Sequence, residues 1–271
     1  MWDRLIHKYL KIPYILHVHE FRSPKHARAT VLLIHGIGAS WKTWEQTAAN
    51  LPKDIRVIAV DLLGFGASPK PSWKAYDVKD QTDSIITTLL RRGLFGPVII
   101  VGHSLGALVA VEMARRYPLT VRSLILVSPP FYRPQAVEKF YYPEKSLRRL
   151  YQIAIDNPGN SAKILRLAAK RKLWPDPGYT MDEAGTLTFL ATLNAAIVNQ
   201  QSITHAEKLK QNTKIIYGKL DPLVIESNLK SIAKHNPRIS LQPVSYATHE
   251  IRDALLTNIL TATKDAVDDH R

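Results

Sequence analysis

Three features of the 271-residue sequence predict a three-layer α/β fold: short β-branched runs alternate with longer helical patterns, several runs are apolar throughout, and 45% of residues are hydrophobic against 22% charged. Residues 30–35, 56–61, 97–102, 122–128, 213–218 and 239–244 read as strands. Val31-Leu32-Leu33-Ile34 and Val98-Ile99-Ile100-Val101 leave no polar face. Both faces of such strands must be covered, which is the condition of a mostly parallel sheet with helices on either side. Residues 12–21 alternate more loosely and read as antiparallel edge strands. A chain of this length buries one sizeable core, so a single domain is expected.

Residues 132–210 are helical in pattern and too long for a simple crossover, so they read as a cap inserted into a core formed by 1–131 and 211–271. Asn160 or Ser161 can cap a helix carrying the stripe Ile164, Leu165, Leu167 and Ala168. After Pro175 and Pro177, Thr180-Met181-Asp182-Glu183 has the capping-box pattern ahead of Leu187, Leu190, Leu193 and Ile197.

The charge is lopsided, with 37 Lys and Arg against 23 Asp and Glu, a net +14. Half of that excess falls between Tyr132 and Pro175, where ten basic residues face three acidic ones. A solvated outer face of the cap is the expected reading, and docking to an anionic surface or an acidic substrate is the alternative. The absence of cysteine excludes disulfides and thiolate metal sites but leaves the compartment open. The polar start, Met1-Trp2-Asp3-Arg4, is unlike a signal peptide, and no apolar run reaches the roughly 18 residues of a membrane span, so a soluble cytoplasmic protein is expected.

The strongest chemical signal is Gly102-His103-Ser104-Leu105-Gly106, between the apolar strand ending at Val101 and the helical run 107–117. In a G-x-S-x-G elbow the serine occupies a strained strand-to-helix turn, and the glycines two before and two after it prevent side-chain collisions. The following helix directs free N–H groups and the positive end of its dipole at the site. Ser104 is therefore the candidate nucleophile.

A serine hydroxyl needs a general base, and that base needs a third group to hold its tautomer. In this arrangement the acid and histidine follow the serine in chain order. Asp221, after the strand 213–218, is the candidate acid; His249, after 239–244, is the candidate base. Both stand beyond a strand's carboxyl end, where ligand sites of open parallel sheets collect. His205 and His235 follow no final strand, and His103 is expected to face another way. At the end of the strand 122–128 the sequence reads Ser128-Pro129-Pro130, without a carboxylate; Glu226 and Asp253 are more distant options.

Two backbone N–H groups are needed where negative charge develops on the carbonyl oxygen. Leu105, directly after the nucleophile, and Ile37, within His35-Gly36-Ile37-Gly38, are the candidates.

With these residues in place, the chain resembles the lid-bearing branch of the α/β-hydrolase superfamily, which includes esterases, lipases, C–C bond hydrolases, epoxide hydrolases, dehalogenases and cofactor-free haloperoxidases. The resemblance rests on the elbow, on His35-Gly36-Ile37-Gly38, on Asp61-Leu62-Leu63-Gly64-Phe65-Gly66-Ala67-Ser68 and on Gly218-Lys219-Leu220-Asp221-Pro222. It covers nearly the whole chain outside the cap, and it implies that Asp61 is a turn residue rather than a catalyst. Serine at position 104 argues against epoxide hydrolases and dehalogenases, which resemble this chain but place an aspartate there. The implied activity is hydrolysis of a carboxylic ester through an acyl-enzyme on Ser104; lactones, monoacylglycerols, thioesters and C–C bonds are the alternatives.

Phe131, Tyr132, Phe140, Tyr141, Tyr142, Leu190, Leu193 and Ile197 are candidates to wall an apolar acyl pocket, and are equally plausible as cap core. No metal, cofactor or nucleic-acid partner is expected. His17-Val18-His19 places two histidines on one strand face with no carboxylate near, so a surface strand is the expected reading. No strand is followed by G-x-G-x-x-G, which argues against a dinucleotide-binding oxidoreductase. An inactive binding module that has kept the fold is the competing class, and the complete Ser104, Asp221 and His249 set weighs against it.

Overall fold

The computed structural model describes residues 2–133 and 183–269. Several expectations fall outside the described residues: the helix carrying Ile164 to Ala168, the capping residues Thr180 to Asp182, the basic stretch beyond Arg133, and Phe140, Tyr141 and Tyr142.

Seven strands form one sheet: β1 (Val18–Arg22), β2 (Thr30–Ile34), β3 (Arg56–Val60), β4 (Val98–His103), β5 (Val121–Val127), β6 (Asn212–Gly218) and β7 (Ile239–Val244). Their spatial order is β1-β3-β2-β4-β5-β6-β7. β2 to β7 are parallel, and β1 runs antiparallel against β3 at the edge. The chain turns from β2 to β3 on one side and to β4 on the other, which opens a crevice beyond the carboxyl ends of β2 and β4. The six parallel strands lie within about two residues of their sequence positions. Residues 12–21 differ: they supply one strand, β1, which begins only at Val18.

Alternation explains why these strands lack a polar face. Leu32 and Ile34 join one apolar cluster with α1 (Val78–Arg91), α2 (Leu105–Arg116) and α4 (Glu226–His235), while Val31 and Leu33 join another with α5 (Asp253–Asp268) and the short helix Glu45–Asn50. All four strand residues are fully buried. Each such side chain contributes about 1.5–3 kcal/mol on leaving water, so the sheet is the energetic centre of both layers. α3 (Glu183–Thr192) and the turn after it lay Leu190 and Ile197 on the first cluster. Leu187, read as part of the same stripe, is instead 53% exposed.

Backbone meets backbone where α2 leaves the sheet. A Cβ on Gly106 would stand 2.2 Å from the Ile34 carbonyl oxygen, and one on Gly102 would stand 2.4 Å from the Gly106 oxygen. Neither neighbour is a flexible side chain, so only glycine fits.

The sheet edges are irregular. The β1 to β3 register slips between Glu20 and Arg22, and Pro243 lies within β7 opposite Tyr217.

Two histidine readings are corrected. His17 precedes β1, and its Nδ1 lies 3.0 Å from Asp61 Oδ2, so a carboxylate does stand beside it. Its chain separation of 44 residues hides the pair from local pattern. His19 stacks on Trp41 with ring centroids 3.6 Å apart.

Substituting Gly106→Ala should cost about 3 kcal/mol, because the methyl group meets fixed backbone. The expected readout is a lower urea midpoint at unchanged slope; a midpoint equal to that of the wild type would show that helix and strand can separate without penalty.

Candidate active site

Ser104 stands between the last residue of β4 and the first of α2, with φ 52° and ψ −117°. A non-glycine residue rarely occupies this region, and the surrounding bonds hold it there: Ser104 N donates to Val127 O at 2.9 Å, and Ser104 O accepts from Ala107 N at 3.0 Å. The serine is 5% exposed.

The other two candidate residues meet. His249 Nδ1 lies 2.7 Å from Asp221 Oδ2, while Asp221 Oδ1 accepts from Leu223 N at 2.9 Å. Burial alone would push the Asp221 carboxyl up; the hydrogen bond and charge of His249, with the Leu223 N–H, outweigh it and hold the group below the ordinary carboxylate range. With the carboxylate ionised, His249 carries its proton on Nδ1 and leaves the Nε2 lone pair free, the tautomer a general base requires. Gly218 lets the two loops touch, since a Cβ there would lie 2.3 Å from Ala247 O. Leu220 N also donates to Ala247 O at 3.0 Å.

His103 does not face away as expected. Its Nε2 lies 2.9 Å from the His249 carbonyl oxygen and the two rings are 4.8 Å apart, so His103 donates an N–H that pins the histidine loop to β4. Burial, followed by the proximity of His249, lowers its pKa to about 3, so the imidazole is neutral.

His35 has a matching task. It is fully buried and its Nε2 accepts from Leu62 N at 2.9 Å, which leaves the proton on Nδ1 to donate to Gly36 O at 2.7 Å. Ala39 N donates to the same oxygen at 3.3 Å. The Gly36 carbonyl and the Ile37 N–H belong to one planar trans peptide and point in opposite directions, so anchoring the first aims the second. The loop touches the elbow: a Cβ on Gly36 would come within 3.2 Å of Ser104 Cβ. Leu105, as the first residue of α2, has an N–H with no carbonyl four residues back inside the helix. Of the two backbone donors named from sequence, Leu105 follows the serine directly, and Ile37 follows Gly36, which packs against it.

Asp61 supports this edge from below. Its fully buried carboxylate accepts from Trp41 N at 2.7 Å, Ala67 N at 2.9 Å and His17. Among the described residues, no group of three or more His, Asp or Glu could hold a metal ion.

The apolar candidates are brought together in part. Phe131, Tyr132, Leu190 and Ile197 are buried in one cluster, with Leu193 partly buried against it. Tyr132 Oη donates to Leu223 O at 2.9 Å and Asn228 Nδ2 to Phe131 O at 2.8 Å, which ties this wall to the Asp221 loop.

A family model described as the alpha/beta hydrolase fold matches residues 29–151. A bromoperoxidase structure from Bacillus anthracis superposes with a TM-score of 0.74 at 19% identity, covering 94% of this chain and 95% of that one. The chain has the α/β-hydrolase fold. Among curated relatives, it is 33% identical over 164 residues to probable lysophospholipase BODYGUARD 2 of Arabidopsis thaliana, a match spanning 58% of this chain but 30% of that protein. The chain thus spans about 30% of the length of the plant relatives it matches. A fuller match is 2-(acetamidomethylene)succinate hydrolase of Mesorhizobium japonicum, 25% identical over 88% of this chain and 87% of that one.

The pH response follows from His103. Its folded pKa of about 3 lies below the ordinary 6.5, so below pH 6.5 the unfolded chain binds a proton that the folded chain refuses. Its contribution is present above that value and is lost towards pH 3, at about 1.4 kcal/mol per pH unit. Urea midpoints of the wild type should therefore fall more steeply between pH 7 and pH 4 than those of His103→Gln. Parallel curves would show that His103 titrates normally.

Proposed function

We propose that the chain is a serine hydrolase of carboxylic esters that works through an acyl-enzyme on Ser104. The observation that carries this reading is the 2.7 Å contact between His249 Nδ1 and Asp221 Oδ2, in a loop that His103, the neighbour of the strained Ser104, holds by its carbonyl. His249 Nε2 takes the Ser104 proton as Oγ attacks the ester carbonyl. The Ile37 and Leu105 N–H groups receive the oxyanion, each worth about 2.7–4 kcal/mol in the transition state. The tetrahedral intermediate collapses as the protonated His249 gives its proton to the leaving alcohol. Water, deprotonated by the same nitrogen, then releases the acid and restores Ser104. No metal or cofactor enters any of these steps.

The ester class draws support from the plant relative, whose name is that of a lysophospholipase. Phe131, Tyr132, Leu190, Leu193 and Ile197 supply an apolar wall for the acyl group, and residues 132–210 act as the cap that selects it. A second reading has one favouring observation: the relative matched over most of its length is named for hydrolysis of 2-(acetamidomethylene)succinate. The same nucleophile would serve a carbonyl other than an ester's.

The deciding experiment compares initial rates on chromogenic esters of rising acyl length for the wild type, Ser104→Ala, Asp221→Ala and His249→Ala. Each substitution should lower kcat by about 10⁴-fold or more with folding unchanged, because such groups act as a unit. Turnover that survives in Ser104→Ala would refute the acyl-enzyme. A folded wild type inactive on every ester would move the assignment to amides, lactones or C–C bonds.

A further inference from the structure

The first helical segment, Trp2–Arg4 continuing through Leu5–Tyr9, is apolar on the side that the rest of the chain does not use. Trp2 is 75% exposed, Leu5 43% and Tyr9 69%, at spacings of three and four residues that place them on one helix face. Leu10 at 62% and Ile12 at 44% are exposed just after it in the chain. The polar side does the packing: Asp3 accepts from Tyr14 Oη at 3.1 Å, His7 stacks on Tyr14, and Arg4 lies over Trp73. Ile6 is half-buried beside His7, but the other apolar side chains of the segment face outward, against the usual arrangement of a surface helix.

Cations stand beside this apolar face. Lys8 lies within the segment and Lys11 just past its end, and among the described residues neither has an ion-pair partner. Lys11 keeps φ 55°, a backbone position easier for glycine, just where the segment stops. Beside it opens a pocket of about 280 Å³ lined by His7, Lys8, Lys11 and Trp73; on its far wall Lys74 pairs with Asp80 at 2.6 Å and Lys79 with Asp83 at 2.8 Å, so its net positive charge comes from Lys8 and Lys11. The chain as a whole carries +14.

We propose that this face docks on an anionic lipid bilayer surface, with Trp2, Leu5, Tyr9 and Leu10 entering the headgroup boundary. Lys8 and Lys11 meet lipid phosphates, and the basic pocket takes one headgroup. Exposed Trp and Tyr among Lys and Arg suit this boundary because their rings are apolar at one end and hydrogen-bond at the other. The charge favours a bilayer over a second copy of the chain, whose matching face would carry the same sign. The docking surface does not depend on the hydrolase reading, since vesicle binding is measured without turnover.

Co-sedimentation would test this with phosphatidylcholine vesicles, with and without phosphatidylglycerol, for the wild type, Lys8→Gln/Lys11→Gln and Trp2→Ser/Leu5→Ser. The wild type should bind the anionic vesicles in a salt-sensitive way and the neutral ones weakly. The lysine variant should bind about thirtyfold more weakly, from two surface cations. The Trp2 and Leu5 variant should weaken by at least tenfold, because two apolar anchors are removed. All four positions are exposed, so thermal melting should not change. Equal sedimentation with neutral and anionic vesicles would overturn the proposal. So would undiminished anionic binding in both variants, which would assign any lipid contact to the basic stretch beyond Tyr132. A dimer abolished by Trp2→Ser/Leu5→Ser, without vesicle binding, would overturn it in favour of self-association.

Discussion

The contact between the first turn of α2 and the carbonyls at the end of β2 is the constraint on which the site depends. Helix and strand approach so closely that a single methyl group at Gly106 would overlap the Ile34 oxygen. That approach brings the β2 loop, with Gly36 and Ile37, against the Ser104 side of the elbow, and it holds the helix amino end on the same crevice. The strained serine backbone is a consequence of making so abrupt a turn from β4 into α2. Its cost, of order 1–3 kcal/mol for such a conformation, is offset by the packed sheet on either side.

Around this contact the polar groups follow one logic: a buried neutral imidazole fixes a peptide, and the peptide fixes the chemistry. His35 holds Gly36 O and thereby aims the next N–H; His103 holds His249 O and thereby places the ring that bonds Asp221. Neutral donors suit the task. A protonated ring at either position would be an uncompensated buried charge, and at His103 it would stand against the His249 ring. The ionised Asp221 is left as the countercharge for His249.

Much of this was legible in the sequence, and the rest was not, for physical reasons. The six parallel strands announce themselves because burial on both faces removes every polar residue from runs such as 31–34 and 98–101. Ser104, Asp221 and His249 stand out because each follows a strand and chain order separates them from rival residues. The pairing of His103 with the His249 carbonyl was hidden, since a backbone acceptor has no side-chain signature and lies 146 residues away. His17 beside Asp61 was hidden for the same reason of distance. The apolar residues 190 to 197 illustrate a different limit: a helical stripe reports that one face is covered, not whether protein or substrate covers it.

The irregular edges of the sheet bear on how the molecule meets copies of itself. An edge strand is a template for any extended chain, because its outer N–H and C=O groups are unpaired. Pro243 removes one donor from β7, and the slip near Glu20 breaks the regular ladder of β1. Neither side therefore offers the uninterrupted row of hydrogen bonds that would let a neighbouring molecule continue the sheet. Assembly by strand addition, including growth into a cross-β fibre, is disfavoured from the native state, and any contact between folded copies is left to helices and loops.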